Sequence, residues 1–165
     1  MRNAILITLM SAICSAAPAA WVYSEKRTDV WGQTEWSAKT VSLNLVEFAY
    51  PINGAQRAEL VVRKHLRFGT SVYIRLARSR FLCRSFYSCD VIVRFDHAPP
   101  LRFPASDPSD HATNILFIRD EARLVSALKA AKFVRIEAEF YQSGSKILEF
   151  DVSGFEWGQT GPTAN

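Results

Sequence analysis

The chain is poor in the residues from which familiar reactive centres are built. Of its 165 residues, seven are glycine, three cysteine and three histidine. The scattered glycines form no loop of the kind that cradles phosphates. The cysteines give neither the C-x-x-C of a thiol oxidoreductase nor two pairs at the spacing of a structural zinc site. Ser153, in Asp151-Val152-Ser153-Gly154-Phe155, lacks the G-x-S-x-G frame of a nucleophile elbow and reads as a strand end. Behind the N-terminus no apolar run approaches the roughly 20 residues of a membrane-spanning helix. With 48% hydrophobic and 22% charged residues the composition is that of an ordinary globular protein, neither disordered nor collagenous.

What is present starts at the N-terminus. Met1-Arg2-Asn3 is a short positive start, Ala4 to Ala16 an apolar run and Ala17-Pro18-Ala19 an A-x-A cleavage site, so residues 1–19 read as a secretory signal peptide. The run, thinned by Thr8 and Ser11, is too short for an anchor. A lipoprotein would use Cys14, but Ile13 stands where a small residue is needed. Cleavage leaves 146 residues, expected as a single β-rich domain over 20–157 with a flexible tail at 158–165. The expected location is the periplasm or outside the cell, with no transmembrane segment after cleavage. Cys83 and Cys89, the pair left in that oxidising compartment, are expected as a disulfide closing a small loop, worth roughly 2 kcal/mol. A zinc pair and a redox dithiol are the alternative uses.

The formal charge is +4 and the pI about 9.1, but distribution says more than the total. Arg57, Arg63, Lys64, Arg67, Arg75, Arg78, Arg80 and Arg84 face only Glu59 between positions 57 and 84. From Glu137 to Glu156 the balance reverses, with Glu137, Glu139, Glu149, Asp151 and Glu156 against Lys146. An electrostatically two-sided molecule follows.

Period-two alternation dominates the rest. Residues 21–40, with Trp21, Trp31 and Trp36, suggest a short strand or two plus loops. Val41, Leu43 and Leu45 are predicted to point inward from a half-buried strand, with Ser42 and Asn44 outward. Tyr50-Pro51-Ile52-Asn53-Gly54 is turn chemistry. Strands are predicted at Glu59–Leu66, Thr70–Ala77, Asp90–Phe95, Leu101–Phe103 and Asn114–Ile118, with a long Pro-, Ser- and Asp-rich loop over Pro99–Ala112. Asp120 is a plausible N-cap for a helix over Glu121–Lys132, whose Leu124, Val125, Leu128 and Ala131 form an apolar stripe. Val134, Ile136, Ala138 and Phe140, then Leu148, Phe150 and Val152, mark a closing hairpin turning at 142–145. The fold class is mainly β: an antiparallel β-sandwich or open barrel of about eight strands with one α-helix near 121–132.

Residues 83 to 157 resemble a set of uncharacterised exported proteins of Gram-negative bacteria. The resemblance runs through Cys83-x5-Cys89, Val93-Arg94-Phe95-Asp96, Leu116-Phe117-Ile118, the helix into Lys132, and Phe150-Asp151-Val152-Ser153-Gly154-Phe155-Glu156-Trp157. It implies a shared β-rich periplasmic fold and no activity. His97-Ala98-Pro99-Pro100 departs from the acidic or glycine-bearing turn expected after Phe95-Asp96.

The functional expectation is a non-enzymatic binding or accessory protein that presents a basic, aromatic-bearing face to an unknown envelope protein or an anionic envelope component. Arg75, Arg78, Arg80 and Arg84, with Phe86 and Tyr87 held by the disulfide, are the candidate contacts. Aromatics interleaved with cations also suit single-stranded nucleic acid, but an exported protein seldom meets it. Alternating arginines can equally be a solvated sheet face that discourages edge pairing. One alternative function is a periplasmic inhibitor or immunity protein. Another is a hydrolase using Asp96, His97, Asp110 and His111, although Asp107-Pro108-Ser109-Asp110 is also what a turn requires. No cofactor, metal or catalytic residue is assigned.

Overall fold

A computed structural model of the protein describes residues 21–27, 33–83 and 89–158. The proposed leader, the tail beyond position 158, Trp31, and the candidate contacts Arg84, Phe86 and Tyr87 lie outside the described residues. Eleven strands and one helix are described: β1 (Val22–Arg27), β2 (Thr34–Val41), β3 (Val46–Phe48), β4 (Gly54–Gln56), β5 (Glu59–His65), β6 (Gly69–Arg75), β7 (Asp90–Phe95), β8 (Leu101–Ser106), β9 (Ile115–Ile118), α1 (Glu121–Ala130), β10 (Phe133–Phe140) and β11 (Gly144–Asp151). Nine strands make one antiparallel open sheet in the order β1-β2-β5-β6-β9-β8-β7-β10-β11, and β3 pairs with β4 apart from it. The mainly β class with a single helix near 121–132 is therefore as expected.

The sheet bends at β8. Its residues Leu101 to Pro104 pair with β7, while Ala105 and Ser106 pair with β9. A strand that changes partners along its length turns a corner, which brings the two wings of the sheet face to face over one core. Leu60, Val62, Val72, Ile74, Val91, Val93, Ile136, Phe140, Leu148 and Phe150 meet there with Leu124 and Leu128 of the helix, all of them buried. The alternation read in β5, β6, β7, β10 and β11 thus points the right way. The far wing is drawn back to the near one by the segment after β2. Leu43 N–H donates to Glu149 C=O at 2.7 Å, and the Asn44 side chain donates to Ile147 C=O and accepts from Glu149 N–H, both at 2.9 Å.

That clamp inverts one expectation. Val41, Leu43 and Leu45 face solvent, at 45%, 52% and 56% exposure, whereas Ser42 is 1% exposed. The strand ends at Val41, and Ser42 turns inward because its hydroxyl is satisfied there: it accepts from Ala58 N–H at 3.0 Å and donates to Asn44 C=O at 2.8 Å. The strand expected at Leu101–Phe103, beside Asp90–Phe95, is present and continues to Ser106 as β8, three residues into the stretch read as loop. The helix ends at Ala130 rather than Lys132. Asp120 holds the N-cap position in a left-handed conformation, φ 61°, without a side-chain cap hydrogen bond, and its carboxylate lies 3.6 Å from Arg123. Beyond the helix, Asp96 Oδ1 accepts the N–H groups of Lys132 and Phe133 at 3.1 and 2.8 Å, which starts β10.

Candidate functional site

The connection from β6 to β7 is pinned at both sides before it reaches the cysteines. Leu76 is buried, and its backbone N–H donates to Asn114 C=O at 3.1 Å while the Asn114 amide returns a bond to Leu76 C=O at 2.9 Å. Gln56 brackets Arg78, accepting its N–H at 2.9 Å and donating to its C=O. Phe81 inserts its ring against Phe140, centroids 4.6 Å apart, and the two residues form an isolated bridge. Arg80 C=O accepts from Tyr141 N–H at 2.8 Å, and Leu82 N–H donates to Glu139 C=O at 2.9 Å. A surface segment held by this many backbone bonds presents its side chains from a fixed platform.

Arg80 uses that platform. Its guanidinium lies 4.4 Å from the centroid of the Tyr141 ring, within the range of a cation–π contact. Among the described residues no carboxylate pairs with it, nor with Arg78. The Arg80–Tyr141 pair forms the wall between two clefts. One, of about 260 Å³, is lined also by Leu82, Cys83, Asp107 and His111. The other, of about 180 Å³, is lined also by Tyr50, Pro51, Ile52 and Ser79. Cys83 and Cys89 are joined as a disulfide with Cα atoms 5.1 Å apart, and Cys89 C=O accepts from Ala105 N–H at 2.6 Å. Both ends of the 84–88 span are therefore fixed, with Cys83 in the wall of the first cleft.

Arg75 is elsewhere. It projects from the outer face of β6, where its Nε donates to Glu59 Oε2 at 2.7 Å, and Lys39 reaches the other carboxylate oxygen at 3.4 Å. Burial opposes ionisation of Glu59, but the hydrogen bond and charge of Arg75, aided by Lys39, outweigh it and hold the carboxyl below its ordinary value. Arg75 is thereby largely neutralised. Around it the outer face alternates cations and rings: Arg63 lies 5.7 Å over Tyr73, Tyr73 is 5.3 Å from Phe117, and Arg119 is 5.6 Å over Phe117. Burial raises the Tyr73 phenol above its ordinary value, against the pull of Arg63 and Arg75. The structure thus sets Arg80 against Tyr141, holds Arg78 to Gln56 two residues before it on the same segment, and engages Arg75 with Glu59 instead.

The hydrolase candidates are also divided. Asp96 and His97 lie in the turn before β8, and Asp110 and His111 lie in the loop after it, about 20 Å away along a six-residue strand. Asp96 is committed to the start of β10, and Asp110 accepts from Ala112 N–H at 3.1 Å within its own turn. No group of three or more His, Cys, Asp or Glu suited to a metal ion occurs among the described residues. Tyr141 and Tyr50 were not legible as site residues, because each sits in a turn whose partner is remote in sequence. The one available signal was that both are aromatic residues at turns.

No family model matches the chain, and no curated protein matches it. Among solved structures it is similar to invasion associated protein B from Bartonella henselae, with a TM-score of 0.45 and 12% identity over 85% of this chain and 89% of that one. No functional residue is carried across at that similarity.

Proposed function

We propose that this protein is a non-enzymatic binding or accessory protein of the bacterial envelope, acting in the periplasm or outside the cell. It captures an anionic or acidic partner at the loop end of the sheet centred on Arg80 and Tyr141. The observation that carries this reading is the Arg80 guanidinium, without a carboxylate partner among the described residues, set over an aromatic ring in the wall shared by two clefts. A cation that the fold has not neutralised is available to a ligand, and a guanidinium offers paired donors that match carboxylate or phosphate oxygens. Arg78 adds a second cation on the same pinned segment, and Arg84, Phe86 and Tyr87 follow in the sequence between the bonded cysteines. The leader-like N-terminus and the disulfide both support an oxidising compartment.

The test is capture from envelope extract by immobilised protein. Wild type retains a partner that is released as salt rises, because exposed charge contacts are screened. The Arg78→Glu/Arg80→Glu variant is expected to lose about tenfold in affinity, equivalent to ~1.4 kcal/mol. Equal capture by the folded double variant would remove the site.

A further inference from the structure

At the opposite end of β6 from Arg80, the β5–β6 hairpin closes through Leu66, Arg67 and Phe68. His65 pairs with Gly69, and Gly69 takes φ 75°, the left-handed conformation that closes a three-residue hairpin loop. The two apolar residues of this loop are turned out: Leu66 is 62% and Phe68 73% exposed. Phe68 is braced, with the His65 ring 4.7 Å and the Arg67 guanidinium 5.4 Å from its centroid. From Leu60 to Arg75 the hairpin carries no acidic residue. Lys64 and Arg67 have no carboxylate partner among the described residues, whereas Arg63 pairs with Glu35 at 3.8 Å. Strand register brings Lys26 of β1 to the same end of the sheet, through Lys26↔Glu35 and Glu35↔His65.

We infer that this tip is a docking point for a bilayer surface containing anionic phospholipid. Leu66 and Phe68 seat at the boundary between headgroups and acyl chains, and Lys64 and Arg67 meet the phosphates. The tip is apolar at its apex with Lys64 and Arg67 beside it, which is the profile of an interfacial anchor. Phe68 also borders a cleft of about 540 Å³ whose walls include Arg63 and Arg119 as well as Asp107 and Glu121. Cationic side chains with long apolar stems fit that depth, since their heads stay in the headgroup layer while the stems follow the apolar residues inward. Two apolar side chains and a few cations give reversible attachment rather than permanent insertion. The site is separate from the Arg80 surface, so the two succeed or fail independently.

Co-sedimentation of the purified protein with vesicles tests it. Binding is expected to phosphatidylcholine vesicles containing about a third phosphatidylglycerol and not to phosphatidylcholine alone, and it should weaken with salt. Leu66→Ser/Phe68→Ser should lower the partition coefficient at least tenfold, and Arg67→Glu several-fold, with thermal unfolding of both variants unchanged. Arg80→Ala should still bind these vesicles, which separates this surface from the proposed partner site. Absence of wild-type binding to the anionic vesicles, or equal binding by the folded double-serine variant, would overturn the inference. So would loss, in that variant, of a contact to a lipid-free protein while vesicles bind neither form.

Discussion

Arg75 ends β6 and Arg80 lies on the connection that follows it, and the two meet different fates because of what stands opposite. Across the ladder from Arg75 is Glu59, which accepts a hydrogen bond from it and has Lys39 at its other oxygen. Beside Arg80 is a tyrosine ring, which attracts a cation without cancelling it. Glu59 therefore contributes to folding where Arg80 remains available for binding. Because the Glu59 carboxyl is lowered in the folded protein from its ordinary 4.5, its contribution is complete above that value and is lost as pH falls through the lowered folded value. Glu59→Gln should be less stable than wild type near neutrality by about 1 kcal/mol or less, the pair being partly exposed. In acid the two should converge. Urea unfolding at neutral and acid pH measures this, and a stability gap independent of pH would show that the ion pair is not its source.

At the scale of elements, the sequence pattern succeeded where a strand has the same neighbours along its length. β10 and β11 pair through Phe133↔Asp151 to Phe140↔Gly144, and Val134, Ile136, Leu148 and Phe150 are buried as their alternation requires. It failed where an element changes partners. Residues 42–45 leave β2 to clamp β11, so apolar Leu43 and Leu45 face out and polar Ser42 faces in. Alternation shows which residues share a face but does not say which face is inside. The first half of β8, Leu101–Phe103, was legible as a strand, but its continuation over 104–106 read as part of a Pro-, Ser- and Asp-rich loop. A proline is nonetheless accommodated where the strand passes from β7 to β9. Ser42 carries the consequence. Ser42→Ala leaves the Ala58 N–H without its acceptor and should cost about 1–3 kcal/mol. Unaltered stability in thermal unfolding would mean that the clamp does not depend on this hydroxyl.

Taken whole, the molecule is a bent sheet with two chemically distinct ends joined by β6. The Arg80–Tyr141 clefts lie past its C-terminal end, and the Leu66–Phe68 tip lies before its N-terminal end. The basic region over 57–84 was visible as a run of charge, but its division was not. Separating Arg75 from Arg80 needed the cross-strand pairing with Glu59, and finding Tyr141 needed the return of β10 to the β6–β7 connection. The Cys83–Cys89 bond was legible because the two are the pair left behind a leader-like N-terminus that implies an oxidising compartment, and a local bridge needs no long-range information.

The most direct measurement places a photoreactive side chain at position 78 and cross-links in intact envelope. One acidic or anionic species should be captured, with yield falling as salt rises and falling sharply when Arg80→Glu is added. An undiminished cross-link in the Arg80→Glu protein, at any salt concentration, would contradict a partner held by this surface.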